Sequence, residues 1–284
     1  MDLKFQPIII NYKMFNKEKM NKKDFFKILI SRTTKNIKIN KRIFNVKINR
    51  LEKNQLKYRI QKKIIKLPLK IDLRSKCQLI LDQGKLGSCT ANALVSIVGY
   101  DKKNLFGSRL FLYYNERMLI NTIPDDSGAY LSDGIKILQT YGICQESSWP
   151  YDISKFTDKP PISCYDEALQ NQALIVENID NTIVSMKTSL ANNEPFVVGI
   201  AVYSSFQTKS VEKTGIVPMP SKKDYLLGGH AVVCVGYDDK KQIWIMRNSW
   251  GTGWGDKGYF YLPYNYLTDD TLSSDLWIIK QMEI

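Results

Sequence analysis

Apolar and polar positions divide the chain at Leu67-Pro68. Before that break, residues 36–49 alternate polar with apolar (Ile37, Ile39, then Phe44, Val46, Ile48), the period of a strand. Leu56, Ile60 and Ile64 then recur every four residues among lysines, a helical stripe. After the break, residues 89–99 are almost uncharged and apolar on most faces, which predicts a central, buried helix. Ser108 is placed to cap a second helix with Leu110, Phe111, Tyr114, Met118 and Leu119 along one side. A third runs from about Ser132 to Tyr141 and stops at Gly142. Beyond Pro160-Pro161 strands are expected at 196–203, 231–237, 243–247, 259–262 and 276–280, preceded by one helix near 182–192. Helices first and strands later predict an α+β fold of two lobes, with a cleft between them for a site.

Charge sharpens the division. The 284 residues carry 41 Lys+Arg against 28 Asp+Glu. Residues 1–66 alone hold a net +16, and the remainder is slightly acidic at −3. The chain, 44% hydrophobic overall, therefore reads as a basic arm on a body that can bury a core. The longest apolar-leaning stretch, residues 86–100, is shorter than the roughly 18 residues a membrane span needs. The N-terminus lacks a secretory signal's cleavage site, so a cytoplasmic location is expected, or a virion-associated one if the source is viral. Five cysteines, an odd number with no Cys-x-x-Cys, argue against a disulfide scaffold or zinc ribbon and toward a reducing compartment. The sequence has a single histidine, His230, through which any imidazole chemistry must pass. No catalytic metal site and no cofactor are expected from such a set.

Candidate chemistry gathers around that histidine. A hairpin turning at Asp238-Asp239-Lys240-Lys241 predicts that His230 faces Asn248 across the ladder, to within about one residue of register. An asparagine oxygen there would fix the imidazole tautomer and leave its other nitrogen to act. Cys89 opens the buried helix, where unpaired N–H groups and the macrodipole favour a thiolate. Gln83, on the loop before it, is placed to join the Cys89 N–H as an oxyanion hole. Taken singly, each has a plainer reading: a buried structural histidine, a small buried hydrophobe and a surface glutamine.

Together the segments Asp82-Gln-Gly-Lys-Leu-Gly-Ser-Cys-Thr-Ala-Asn-Ala93, Gly229-His-Ala-Val-Val-Cys-Val-Gly-Tyr237 and Arg247-Asn-Ser-Trp-Gly-Thr-Gly-Trp-Gly-Asp-Lys-Gly-Tyr259 resemble the papain-like cysteine proteases, of the cathepsin-like type with bacterial and large-virus relatives. Ser127-Gly-Ala129, Tyr141-Gly-Ile and Trp149-Pro-Tyr151 match further family segments, so the resemblance covers about residues 67–284. It implies a helical lobe at about 83–160 and a β-barrel-like lobe at about 161–284, with the active site between. It also implies Cys89 as nucleophile, His230 as general base and then acid, Asn248 as its orienting partner and Gln83 as oxyanion donor. Trp250 would shield the Asn248–His230 hydrogen bond and line the leaving-group side. Gly128 and Ala129 would pair with an extended peptide substrate.

Two departures stand out: Leu86 replaces the family's cysteine three residues before the nucleophile, and Thr90 replaces the aromatic after it. The first removes a common disulfide, and the second changes the packing beside the thiolate. Gly253-Trp-Gly-Asp-Lys-Gly258 fits a dinucleotide fingerprint, but a strand and Pro263 follow it rather than a helix, so it is set aside. Residues 1–66 stand where family precursors carry an inhibitory prosegment. We expect a proenzyme whose arm acts as an intramolecular inhibitor, is cut near 65–69, and is loosened by acid. The competing reading of the arm is nucleic-acid or anionic-surface binding, and that of the whole is a non-catalytic binding protein on the same fold. Asp269, Asp270 and Asp275 read as exposed loop acids.

Overall fold

The computed structural model describes residues 44–47 and 66–283. Its centre is helix α1 (Cys89–Asp101), eleven of whose thirteen residues are buried. Small side chains permit this: a Cβ on Gly99 would come within 2.1 Å of Gln78 Oε1. Helix α2 (Arg109–Leu119) packs beside it, and Ser108 caps its start as the sequence predicts. The Ser108 hydroxyl accepts from the Phe111 N–H at 3.1 Å and donates to the Trp149 carbonyl at 2.6 Å. Helix α3 (Leu131–Thr140) ends before Gly142, whose left-handed φ of +73° and close approach to the Ala168 carbonyl exclude a side chain. A short α4 (Ile162–Ala168) completes the helical side.

The other side is an antiparallel sheet built, among the described residues, from β1 (Lys70–Asp72), β2 (Ala173–Asn178), β3 (Phe196–Tyr203), β4 (Leu226–Asp238), β5 (Ile243–Arg247), β6 (Tyr259–Pro263) and β7 (Ser273–Met282). Helices α5 (Ile183–Ala191), α6 (Lys209–Thr214) and α7 (Tyr264–Thr268) punctuate it. The strand order is β2-β7-β3-β4-β5-β6, with β1 added to β4. Strand β4 is buried along nearly its whole length and pairs with β3, β5 and β1. It is therefore the strand that α1 packs against from inside. The helices and antiparallel strands give the expected α+β architecture.

Where sequence and structure differ, the cause is local. β1 has three residues, and β2 carries register shifts at Ile175, so neither leaves a clean alternation to read. The hairpin after β4 turns at residues 239–242, later than the expected pairing needs, and a bulge at Val235 brings the ladder back by only one position. Its last pair is Val233↔Arg247, so His230 and Asn248 are not cross-strand partners; the expected register is corrected. Asn248 instead lies past the end of β5, held by its N–H to the Gly258 carbonyl at 3.0 Å. A strand, β6, follows the glycine-rich 253–258 run as expected. Of the arm, residues 44–47 are described, with bridges at Asn45 and Lys47; the rest of the strand pattern and the helical stripe at 56–64 lie outside the described residues.

Ser108→Ala removes the cap of α2 and a buried partner of the Trp149 carbonyl. We expect a loss of about 1–2 kcal/mol in urea unfolding.

Candidate active site

Cys89 is the first residue of α1, so its sulfur sits where backbone N–H groups point outward. The N–H groups of Ala231 and Thr90 hydrogen-bond it. Ala231 follows His230 in β4, so the start of α1 abuts the strand beside the residue that carries the imidazole. Cys89 is fully buried, and burial pushes its pKa up to about 12. The Ala231 N–H works against that rise, and ionisation of Glu116 or Asp126 would add to it.

His230 is fully buried too. Its Nε2 lies 2.8 Å from Asn248 Oδ1. The Ser249 N–H donates to the same Oδ1 at 2.9 Å, which identifies that atom as oxygen. Nε2 is therefore the protonated donor, and Nδ1 occupies the opposite edge of the ring. The Trp250 indole stacks on the imidazole at 4.7 Å and 22°. A hydrogen bond roofed in this way is withheld from water.

Gln83 is buried rather than on the surface. Its Oε1 accepts from Ser249 Oγ at 2.7 Å, its Nε2 donates to the Leu86 carbonyl at 3.0 Å, and its backbone N–H donates to the Ser249 carbonyl at 2.9 Å. A primary amide has a second N–H to offer. The Tyr151 hydroxyl donates to the Gln83 carbonyl at 3.0 Å and meets Ser88 Oγ at 2.5 Å. One connected path thus runs from Gln83 through Ser249 and Asn248 to His230, and along the backbone to Ala231 and Cys89. Ser249 and the Tyr151 hydroxyl are supports the sequence reading did not single out; both lie inside segments quoted for the resemblance, and only their contacts reveal the role.

Gly128 and Ala129 form the facing edge of the cleft, and residues 44–47 lie in it. The Val46 N–H donates to the Gly229 carbonyl at 3.1 Å and the Lys47 N–H to the Ala129 carbonyl at 2.8 Å. Asn45 Nδ2 donates to the Asp126 carbonyl at 2.9 Å. Phe44 sets its ring edgewise to Trp250 at 5.6 Å and to His230 at 6.1 Å. Glycines make the room: a Cβ on Gly128, itself at φ +69°, would fall 1.8 Å from the Asn45 carbonyl oxygen, and one on Gly229 2.5 Å from Val46 Cγ1. Val46 is 2% exposed.

Asp269 and Asp270 are exposed loop acids as expected, and Asp275 is the exception. Asp269 accepts from Thr271 in a turn. Asp275 lies within β7, half-buried, accepting from Trp277 Nε1 at 2.6 Å, and burial raises its pKa to about 6.

Residues 67–272 match the family model described as papain family cysteine protease. The chain belongs to the papain family. Accordingly it is a papain-like cysteine peptidase, a hydrolase of a family that acts on protein substrates. It is 44% identical to an uncharacterized peptidase C1-like protein of Acanthamoeba polyphaga mimivirus, over 71% of this chain and 70% of that one. It is 31% identical to cysteine proteinase 3 of Entamoeba histolytica over 69% of this chain, and spans 62% of that relative. The crystal structure of xylellain, a cysteine protease from Xylella fastidiosa, superposes with a TM-score of 0.79 at 36% identity, covering 84% of this chain and 96% of that one. Procathepsin L 3 of Tenebrio molitor shares the fold at a TM-score of 0.63 and 21% identity, over 82% of this chain and 75% of that one. No helix among the described residues of this papain-family chain is long and apolar enough to cross a membrane.

With one histidine in the chain, its ring can be observed alone by NMR. In Trp250→Ala we expect the His230 Nε2–H to exchange with water at least about tenfold faster, because its roof is gone.

Proposed function

We propose that this peptidase is an endopeptidase held as a zymogen by its own arm, with Cys89 as the nucleophile. The reading is carried by residues 44–47 lying in the cleft between Gly229 and Ala129 while Phe44 covers His230 and Trp250. In the uncovered enzyme the Cys89 thiolate, paired with the His230 imidazolium, attacks a peptide carbonyl. The Cys89 N–H and the second N–H of the Gln83 amide receive the developing oxyanion. Ser249 holds the Gln83 amide for that task. His230 gives its proton to the leaving amine, and a thioester to Cys89 remains. His230 then takes a proton from water as that water attacks the thioester, releasing the acid. Asn248 holds the ring in plane through both steps.

The polarity of the arm supports the same reading. It runs from the Trp250 side at Phe44 to the Ala129 side at Lys47, in parallel bridges with Gly229 and Tyr130. With Trp250 on the leaving-group side, a substrate would run the other way, so the arm fills the cleft without presenting a peptide bond in productive direction. Its presence also leaves Cys89 buried, a setting that favours the thiol over the thiolate.

Removal of residues 1–66 should raise both peptide hydrolysis and Cys89 labelling by a thiol-reactive epoxide about tenfold or more, and Cys89→Ala should abolish both. Val46→Glu in the full chain should mimic the truncation, since a charge cannot stay buried there unpaired. Equal activity with and without the arm would overturn the zymogen reading, and an active Cys89→Ala would overturn the nucleophile.

Acid should favour release. Burial raises the Asp133 carboxyl, while the charges of Lys136 and Lys47 pull it down again. Lys47 leaves with the arm, so with Asp133 still buried on α3 the open form binds the Asp133 proton more readily and falling pH shifts the balance toward opening. Proteolytic nicking of the arm should increase as pH falls through the raised Asp133 range, and Asp133→Asn should flatten that dependence.

A further inference from the structure

Directly behind the proposed nucleophile is a carboxyl the reaction scheme does not use. Glu116 lies in the middle of α2 and is fully buried. Its Oε2 accepts from Thr90 Oγ1 at 2.6 Å, and Thr90 is the residue after Cys89. Its Oε1 has no hydrogen-bond partner among the described residues. The adjacent cation does not neutralise it. The Arg117 guanidinium donates to the carbonyls of Tyr113, Ile123, Asp125 and Phe156, and lies over the Tyr113 and Phe156 rings. Space for the carboxyl comes from Gly134 on α3, where a Cβ would fall 2.5 Å from Oε1 and 2.2 Å from Leu94 Cδ1.

We propose that Glu116 is a positioning residue for the Cys89 reaction: a carboxylic acid held neutral, which anchors Thr90 and thereby the first turn of α1 without placing a charge behind the thiolate. Thr90 stands where the family pattern has an aromatic side chain, and here its hydroxyl is held by Glu116. The neutral form follows from the surroundings. An ionised carboxylate with one oxygen unbonded in a fully buried site is far costlier than the acid. The charged groups around it are Asp133 on α3, which disfavours ionisation further, and Arg117 on α2 itself, which favours it weakly from its own carbonyl cage. On α1 it faces Thr90, and its charge would raise the Cys89 thiol. The Thr90 N–H is one of the two that hydrogen-bond the sulfur, and Thr90 is the residue Glu116 fixes. Ionisation of Glu116 would therefore oppose thiolate formation, and the enzyme benefits from keeping that proton in place.

The inference rests on Cys89 being the nucleophile, and the test separates the two. In the full-length chain at neutral pH, the infrared difference between wild type and Glu116→Gln should contain the C=O stretch of a protonated carboxylic acid. Cys89 alkylation by iodoacetamide, resolved by mass spectrometry, should match within about threefold in the two proteins at neutral pH. At alkaline pH it should be about fivefold or more faster in Glu116→Gln, which cannot ionise. Glu116→Ala should be slower throughout, with Gln restoring the rate. Absence of the acid band, or pH profiles that superimpose, overturns the inference; a Cys89→Ala chain that still cleaves peptide would instead overturn the reading of the nucleophile.

Discussion

The packing of one uncharged helix end against one buried strand is the constraint from which the rest follows. α1 begins at Cys89 and β4 carries His230 and Ala231, and the sulfur meets the strand at the Ala231 N–H. For that contact to form, α1 must be apolar on nearly every face, because sheet, α2 and α3 surround it. The sequence obeys with Ala91, Ala93, Leu94, Val95, Ile97 and Val98, all buried. A charge at any of these six positions would have to be desolvated, at a cost of several kcal/mol. The same packing holds two chemically opposed groups in a dry place: a thiol that burial keeps protonated and a ring whose Nε2 proton is committed to Asn248.

Around this contact, the supports are mostly backbone and amide groups. Ser249 ties Gln83 to the Asn248 loop, and Tyr151 ties the Gln83 carbonyl to Ser88. Such neutral hydrogen bonds fix geometry without adding charge to a low-dielectric site. The cleft floor and edge are similarly spare of side chains. Gly128, Gly228 and Gly229 each leave space that the arm's backbone or Val46 takes up. A surface that recognises peptide backbone through its own carbonyls, at Gly229 and Ala129, binds an extended segment regardless of most of its side chains. That generality suits a peptidase and also makes the enzyme's own arm an adequate occupant.

How far the sequence could be read depended on the range of each signal. Helices α1, α2 and α3 and strands β3 and β5 were legible because periodicity, a serine cap and a terminating glycine act within a few residues. β1 was not, since three residues carry no period and its partner is more than 150 positions away. The late turn at 239–242 defeated the index arithmetic for His230 and Asn248, and the equally invisible Val235 bulge recovered only one position of the difference. Their hydrogen bond exists for a different reason: the chain leaves the ladder after Arg247, and Gly258 holds Asn248 back against the strand.

The sequence by itself determined which groups were available: one imidazole, one thiol at a helix start, an asparagine and a glutamine in ordered blocks, and a basic arm ahead of an apolar body. Those are properties of residue identity and short-range order. Tertiary structure alone decided that Glu116 lies behind Thr90, that Ser249 braces Gln83, and that Val46 of the arm lies between Gly229 and Ala129. Each of these joins segments 26 to 183 positions apart, and the closure of such loops is set by the summed packing of the whole core, which no local pattern encodes.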